Sequence, residues 1–77
     1  MPKFVVRADV LDHCVMGYTI EAEDAASARN WIVDKFWEPI PDVVRAEAPR
    51  LAGLVEQTQA NAKRYGVKFI IRRSRAA

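Results

Sequence analysis

Hydrophobic residues in this chain recur at every second position near both ends and at every third or fourth position between them. A period of two belongs to strands half-buried on one face, and a period near 3.6 to helices with one apolar stripe. Phe4, Val6, Ala8 and Val10 alternate with Lys3, Val5, Arg7 and Asp9, which reads as a first strand. Past the interruption at Leu11-Asp12-His13, the alternation resumes as Cys14, Met16, Tyr18, Ile20 and Ala22 against Val15, Gly17, Thr19 and Glu21. The two runs form a hairpin whose turn lacks an Asn-Gly or Asp-Gly pair. The last run, Val67 to Arg73, directs Val67, Phe69 and Ile71 inward and Lys68, Ile70 and Arg72 outward.

Asp24 is placed to cap a helix over Ala25 to Trp37, which stops at Glu38-Pro39. Its core stripe is Ala25, Ala28, Ile32 and Phe36, with Trp31 on one flank and Val33 and Trp37 on the other. That arc is wider than one sheet layer needs, so a tryptophan is left at the surface once the core is filled. Pro39-Ile40-Pro41 is a stiff connector, because each proline fixes its own φ and restricts the residue before it. Pro49 suits a first helical turn, which divides the next segment into a short helix over Asp42 to Glu47 and a longer one from Pro49 to Tyr65. In the longer helix Leu51, Leu54, Val55, Thr58, Ala62 and Tyr65 share one face, opposite Glu56, Gln59, Ala60, Lys63 and Arg64. Gly66 follows as the terminating residue. The order β-β-α-(α)-α-β gives an α+β fold, a three-stranded sheet with two main helices on one face.

Seventy-seven residues make one domain, with a core small enough to gain from dimerisation or partner binding. Cys14 and His13 are single representatives of their types, so neither a disulfide framework nor a Cys/His zinc site arises within one chain. No apolar run is long enough to span a membrane or to serve as a secretory h-region, and a cytoplasmic location is expected. The net charge of +2 is unevenly spread. All ten acidic residues and six of the twelve basic ones lie at or before Glu56, leaving −4 there and +6 beyond it. Lys63, Arg64, Lys68, Arg72, Arg73 and Arg75 thus form a carboxylate-free block suited to phosphates or to an acidic protein surface.

Constellations for catalysis are sparse. His13 and Cys14 are adjacent, and neighbours on a strand point to opposite faces. Asp9, Asp12 and His13 lack the fourth ligand of a metal site, and Glu21, Glu23 and Asp24 are accounted for by helix capping. There is no Gly-rich phosphate loop or Cys-x-x-Cys pair, so no cofactor is expected and a binding role is favoured over an enzyme such as a small nuclease. Two surfaces are candidates for binding. Lys3, Arg7, Lys68 and Arg72 project from the open face of the sheet with Arg73 and Arg75 past its edge, placed for phosphates. Phe4, Tyr18 and Phe69 are expected in the core, which leaves no base-stacking platform. Trp31 and Trp37, beside the proline-rich connector, are placed as anchors for a protein partner.

Two stretches carry a resemblance. Residues 18–28, Tyr18-Thr19-Ile20-Glu21-Ala22-Glu23-Asp24-Ala25-Ala26-Ser27-Ala28, resemble the strand-into-helix pattern of small accessory proteins of phages and mobile elements. Residues 62–72, ending Gly66-Val67-Lys68-Phe69-Ile70-Ile71-Arg72, are similar to the closing segment of certain short phage proteins. The resemblance covers under half the chain and brings no catalytic residues. It implies a small protein, anti-CRISPR-like in its mode of action, that binds and inhibits a host protein or nucleoprotein complex. The alternative expectation is a weak, sequence-tolerant nucleic-acid binder. Self-association into a homodimer is a further expectation, the acidic first part of one chain meeting the basic end of another.

Overall fold

The structure, a computed structural model, describes residues 1–75. Its elements run β1 (Lys3–Val10), β2 (His13–Glu21), α1 (Ala25–Phe36), α2 (Asp42–Glu47), α3 (Pro49–Tyr65) and β3 (Lys68–Arg73). The sheet is antiparallel throughout, in the order β2-β1-β3, so the most apolar strand lies at its centre. This is the α+β architecture the changing period predicts. Leu11 and Asp12 carry the hairpin turn with φ of 52° and 63°. Two consecutive left-handed residues make a two-residue turn that matches strand twist, the geometry usually left to Asn-Gly.

The inward side of β1 is the centre of the core. Phe4, Val6, Ala22, Ala28 and Ile32 form one cluster, flanked by Met16, Ile20, Phe69 and Ile71. Ala8, Val10, Phe36 and Ala62 form a second, where α3 reaches the hairpin end of the sheet. Among the described residues ten hydrophobic side chains are buried, and five of them are alanines. Each alanine removes little apolar area from water, so the core is thin for its residue count.

Several details depart from the sequence reading. Between Ala8 and Asp9 the β1–β2 register shifts: Ala8 faces Met16, whereas Asp9 faces Cys14. The extra residue, Val15, is a β-bulge, and it moves Cys14 from the inward set to the open face, where the thiol is exposed. Helix α1 ends at Phe36, with Trp37 as its cap residue, and Val67 precedes β3 rather than joining it. Tyr18 lies in register with Val6 on the helix side, yet it is 39% exposed because β2 is the sheet's edge. Ala25 is exposed, while the rest of the expected α1 stripe is buried.

The largest departure concerns α3. Its buried residues are Ala52 and Ala62, while Leu51, Leu54 and Tyr65 of the apolar stripe are 54%, 66% and 55% exposed. Gln59, expected on the polar face, turns toward α1, donating through Nε2 to the carbonyls of Phe36 at 3.1 Å and Glu38 at 3.3 Å. Those carbonyls lie at the end of α1, where the helix has no partners of its own to offer, and the glutamine supplies them. This contact fixes the roll of α3, so its seam runs through Ala52, Gln59 and Ala62 and its leucines fall beside it. α2 packs on α3, with Arg45 paired to Glu56.

Candidate binding surfaces

Two surfaces carry the chemistry expected of a binding protein, and the fold sets them on opposite sides of the sheet. The open face holds Lys3, Val5, Arg7 and Asp9 on β1, with Asp9, Arg7 and Val5 opposite Lys68, Ile70 and Arg72 of β3. Lys3, Arg7, Lys68 and Arg72 therefore share one face, as the alternation predicts. Arg7 is not available as a free cation there. Its Nε and Nη2 reach the two Asp9 carboxylate oxygens at 3.0 and 2.7 Å, a bidentate pair along the strand. The hydrogen bond from Arg7 holds the Asp9 carboxyl below its ordinary value, with Lys68 adding to the effect, and Asp9 in turn raises Arg7. Lys3 lies opposite Glu21 in the β1–β2 register. The cationic character of the open face is reduced accordingly.

Arg73 departs from the expected position. It lies within β3 opposite Phe4, so its register is that of the helix side at the end of the sheet. The backbone N–H of Ser74 donates to the carbonyl of Lys3 at 2.9 Å and prolongs the pairing by one residue. Arg72, Arg73, Ser74 and Arg75 line an open depression at this corner, and none of its lining residues is acidic. Of the carboxylates considered as ligands or acid–base pairs, Asp9 is held by Arg7. Asp24 accepts from the Ser27 backbone N–H at 2.7 Å as the N-cap of α1, and that hydrogen bond lowers its pKa. Among the described residues no three His, Cys, Asp or Glu side chains gather as a metal site would require.

The second surface belongs to α1. Trp31 and Trp37 are 39% and 37% exposed, so each is half core and half surface. Trp31 meets Tyr18 edge to face with ring centroids 5.2 Å apart, and Trp37 meets Phe36 in the same way at 4.8 Å. These contacts hold the indoles in place without covering them. With Asp34, Lys35, Glu38 and Pro39 they border a shallow groove along the outer side of the helix. Lys35 and Glu38 form an ion pair of 3.1 Å on its rim. The width of the apolar arc in α1 signalled this surface, and both tryptophans expected as anchors border the groove.

A third feature was missed. Between the hairpin and α3, Val15, Met16, Leu51, Leu54 and Val55 line an apolar cleft with Phe36 at its base. Both of its causes, the bulge at Val15 and the roll of α3 set by Gln59, are tertiary. Among known proteins, no family model matches the chain, and no curated protein or solved structure matches it significantly.

Proposed function

We propose that this chain is a small non-enzymatic binding protein that docks on a protein partner through the tryptophan groove of α1 and inhibits that partner by occupying its surface. The observation that carries the reading is the pair of half-exposed tryptophans, each held by an edge-to-face contact within the domain. An aromatic anchor fixed before binding loses little side-chain entropy in the complex, and tryptophan leads the residues that dominate interface energies. The charged rim of Asp34, Lys35 and Glu38 suits a polar ring around such an anchor. The resemblance of residues 18–28 and 62–72 to short phage accessory proteins makes a host protein or nucleoprotein complex the natural class of partner.

A second reading rests on the carboxylate-free corner of Arg72, Arg73 and Arg75, which suits the phosphates of a nucleic acid. The pairing of Arg7 with Asp9 and the absence of a stacking aromatic from the open-face register rank it second. Because the corner and the α1 groove share no lining residue, one experiment separates them. Capture from nuclease-treated host lysate is compared for the wild type, Trp31→Ala with Trp37→Ala, and Arg72→Glu with Arg73→Glu and Arg75→Glu. The expected result is one protein complex retained by the wild type and the arginine variant and lost by the tryptophan variant. Loss in the arginine variant alone, or recovery of nucleic acid alone before nuclease, overturns the first reading in favour of the second.

A further inference from the structure

The two edges of the sheet are unlike. β3 is six residues long and carries Lys68, Arg72 and Arg73, the kind of charge that keeps an edge from pairing with another chain. β2 is nine residues long and has no formal charge from His13 to Ile20, with Glu21 as its one charged residue. It pairs only with β1, so the backbone groups along its other side have no strand beside them. Most of its residues are exposed, and its bulge lies near one end rather than across its middle.

From this edge we infer that the chain forms a symmetric dimer in which β2 pairs antiparallel with β2 of a second copy, giving one six-stranded sheet. The midpoint of β2 is Gly17. A two-fold axis there, perpendicular to the sheet, sets Met16 opposite Tyr18 of the second copy, both on the helix side, and the bulge at Val15 ends the regular pairing beyond them. The axis exchanges the two halves of the strand, and those halves are complementary. In the first half, Val15 and Met16 border the uncovered cleft with Leu51 and Leu54. In the second, Tyr18 stands half-exposed against Trp31. Both lie on the helix side, so the axis brings the leucines of one copy toward the Tyr18 of the other. A second copy therefore satisfies the strand edge and covers the apolar residues that this thin core leaves out. The two α1 grooves emerge on the same side of the extended sheet, so that a partner with two sites is held at both.

Gly17 also provides the test. A Cβ built there meets only the Cys14 sulfur at 3.9 Å, ordinary contact, so the monomer accommodates a side chain. Gly17→Lys sets two ammonium groups opposite each other across the axis, and like charges directly opposed destabilise a strand pair. Sedimentation of the full chain over a dilution series is expected to give a reversible monomer–dimer equilibrium for the wild type and a folded monomer, by circular dichroism, for Gly17→Lys. As a second measure, Gly17→Cys in a Cys14→Ser background is expected to form a disulfide-linked dimer on mild oxidation, since directly opposite Cβ atoms in a strand pair approach to about 4.5 Å, within reach of a disulfide after a small shift at an edge strand. Arg72→Cys on the other edge, in the same background, is expected to stay unlinked. A wild type that remains monomeric at every concentration, a dimer that survives Gly17→Lys, or cross-linking through Arg72→Cys and not through Gly17→Cys overturns the proposal. None of these readouts depends on the protein partner, so failure here leaves the α1 groove standing.

Discussion

At the scale of the residue, two short contacts hold carboxylates in place, one on the open face and one at the start of α1. Asp9 and Asp24 are both held ionised by donors, the Arg7 guanidinium in one case and the Ser27 backbone N–H in the other, so their folded pKa values lie below those of the unfolded chain. A lowered carboxyl pKa contributes stability above the unfolded value, near 3.9, and the contribution is lost as the pH falls through the folded value. Asp9→Asn, and Asp24→Ala, which removes the cap acceptor that asparagine would keep, are each expected to be less stable than the wild type in urea at neutral pH. The difference is expected to shrink below about pH 4, where the wild-type carboxyls also become protonated. A deficit that persists unchanged in acid contradicts this account. Cys14 tests the bulge in the same way. An exposed thiol on the open face is expected to be alkylated in the native protein at the rate of a free thiol, without prior unfolding. Protection until denaturant is added places it in the inward set that simple alternation assigns.

At the scale of the element, what the sequence made legible and what it did not separate cleanly. The strand order of types, both edges of α2 and α3, the Asp24 cap and the Ala28-Ile32-Phe36 seam follow from periodicity and from Pro and Asp at their customary positions. The bulge at Val15 and the roll of α3 do not, because each depends on a neighbour distant in the chain. Gln59 reads as a polar-face residue until α1 places two open carbonyls beside it. Gln59→Ala is expected to cost about 1 kcal/mol in urea melts, with its partners left partly solvated. By contrast Ile32, which is fully buried, is expected to cost about 2–5 kcal/mol as Ile32→Ala. That is a large share of the total for a chain this short, since stability runs at about 0.05–0.15 kcal/mol per residue. Leu54→Gln, in the monomer isolated by Gly17→Lys, is expected to change stability by less than about 0.5 kcal/mol, as a surface substitution does. A Leu54 effect as large as that of Ile32 means that the α3 stripe is packed after all.

At the scale of the whole molecule, the shape follows from how little of α3 the sheet covers. The Cα radius of gyration is 13.7 Å and the extents are 39 × 27 × 18 Å. A compact domain of this length has a radius near about 11.5 Å. The difference goes with α3, a helix of about 25 Å that packs on the central strand less closely than α1 does. The function reads as a choice between the α1 groove and the basic residues of the sheet, the two surfaces that the sequence also kept apart. Fluorescence of the two tryptophans decides that choice most directly. Single-tryptophan proteins, made by Trp31→Phe or Trp37→Phe, are titrated with a neutral quencher before and after addition of the captured partner. Both indoles are expected to be quenched in the free protein and protected in the complex. Indoles inaccessible in the free protein, or as open to quencher in the complex as before, contradict the assignment of the α1 groove as the partner-binding surface.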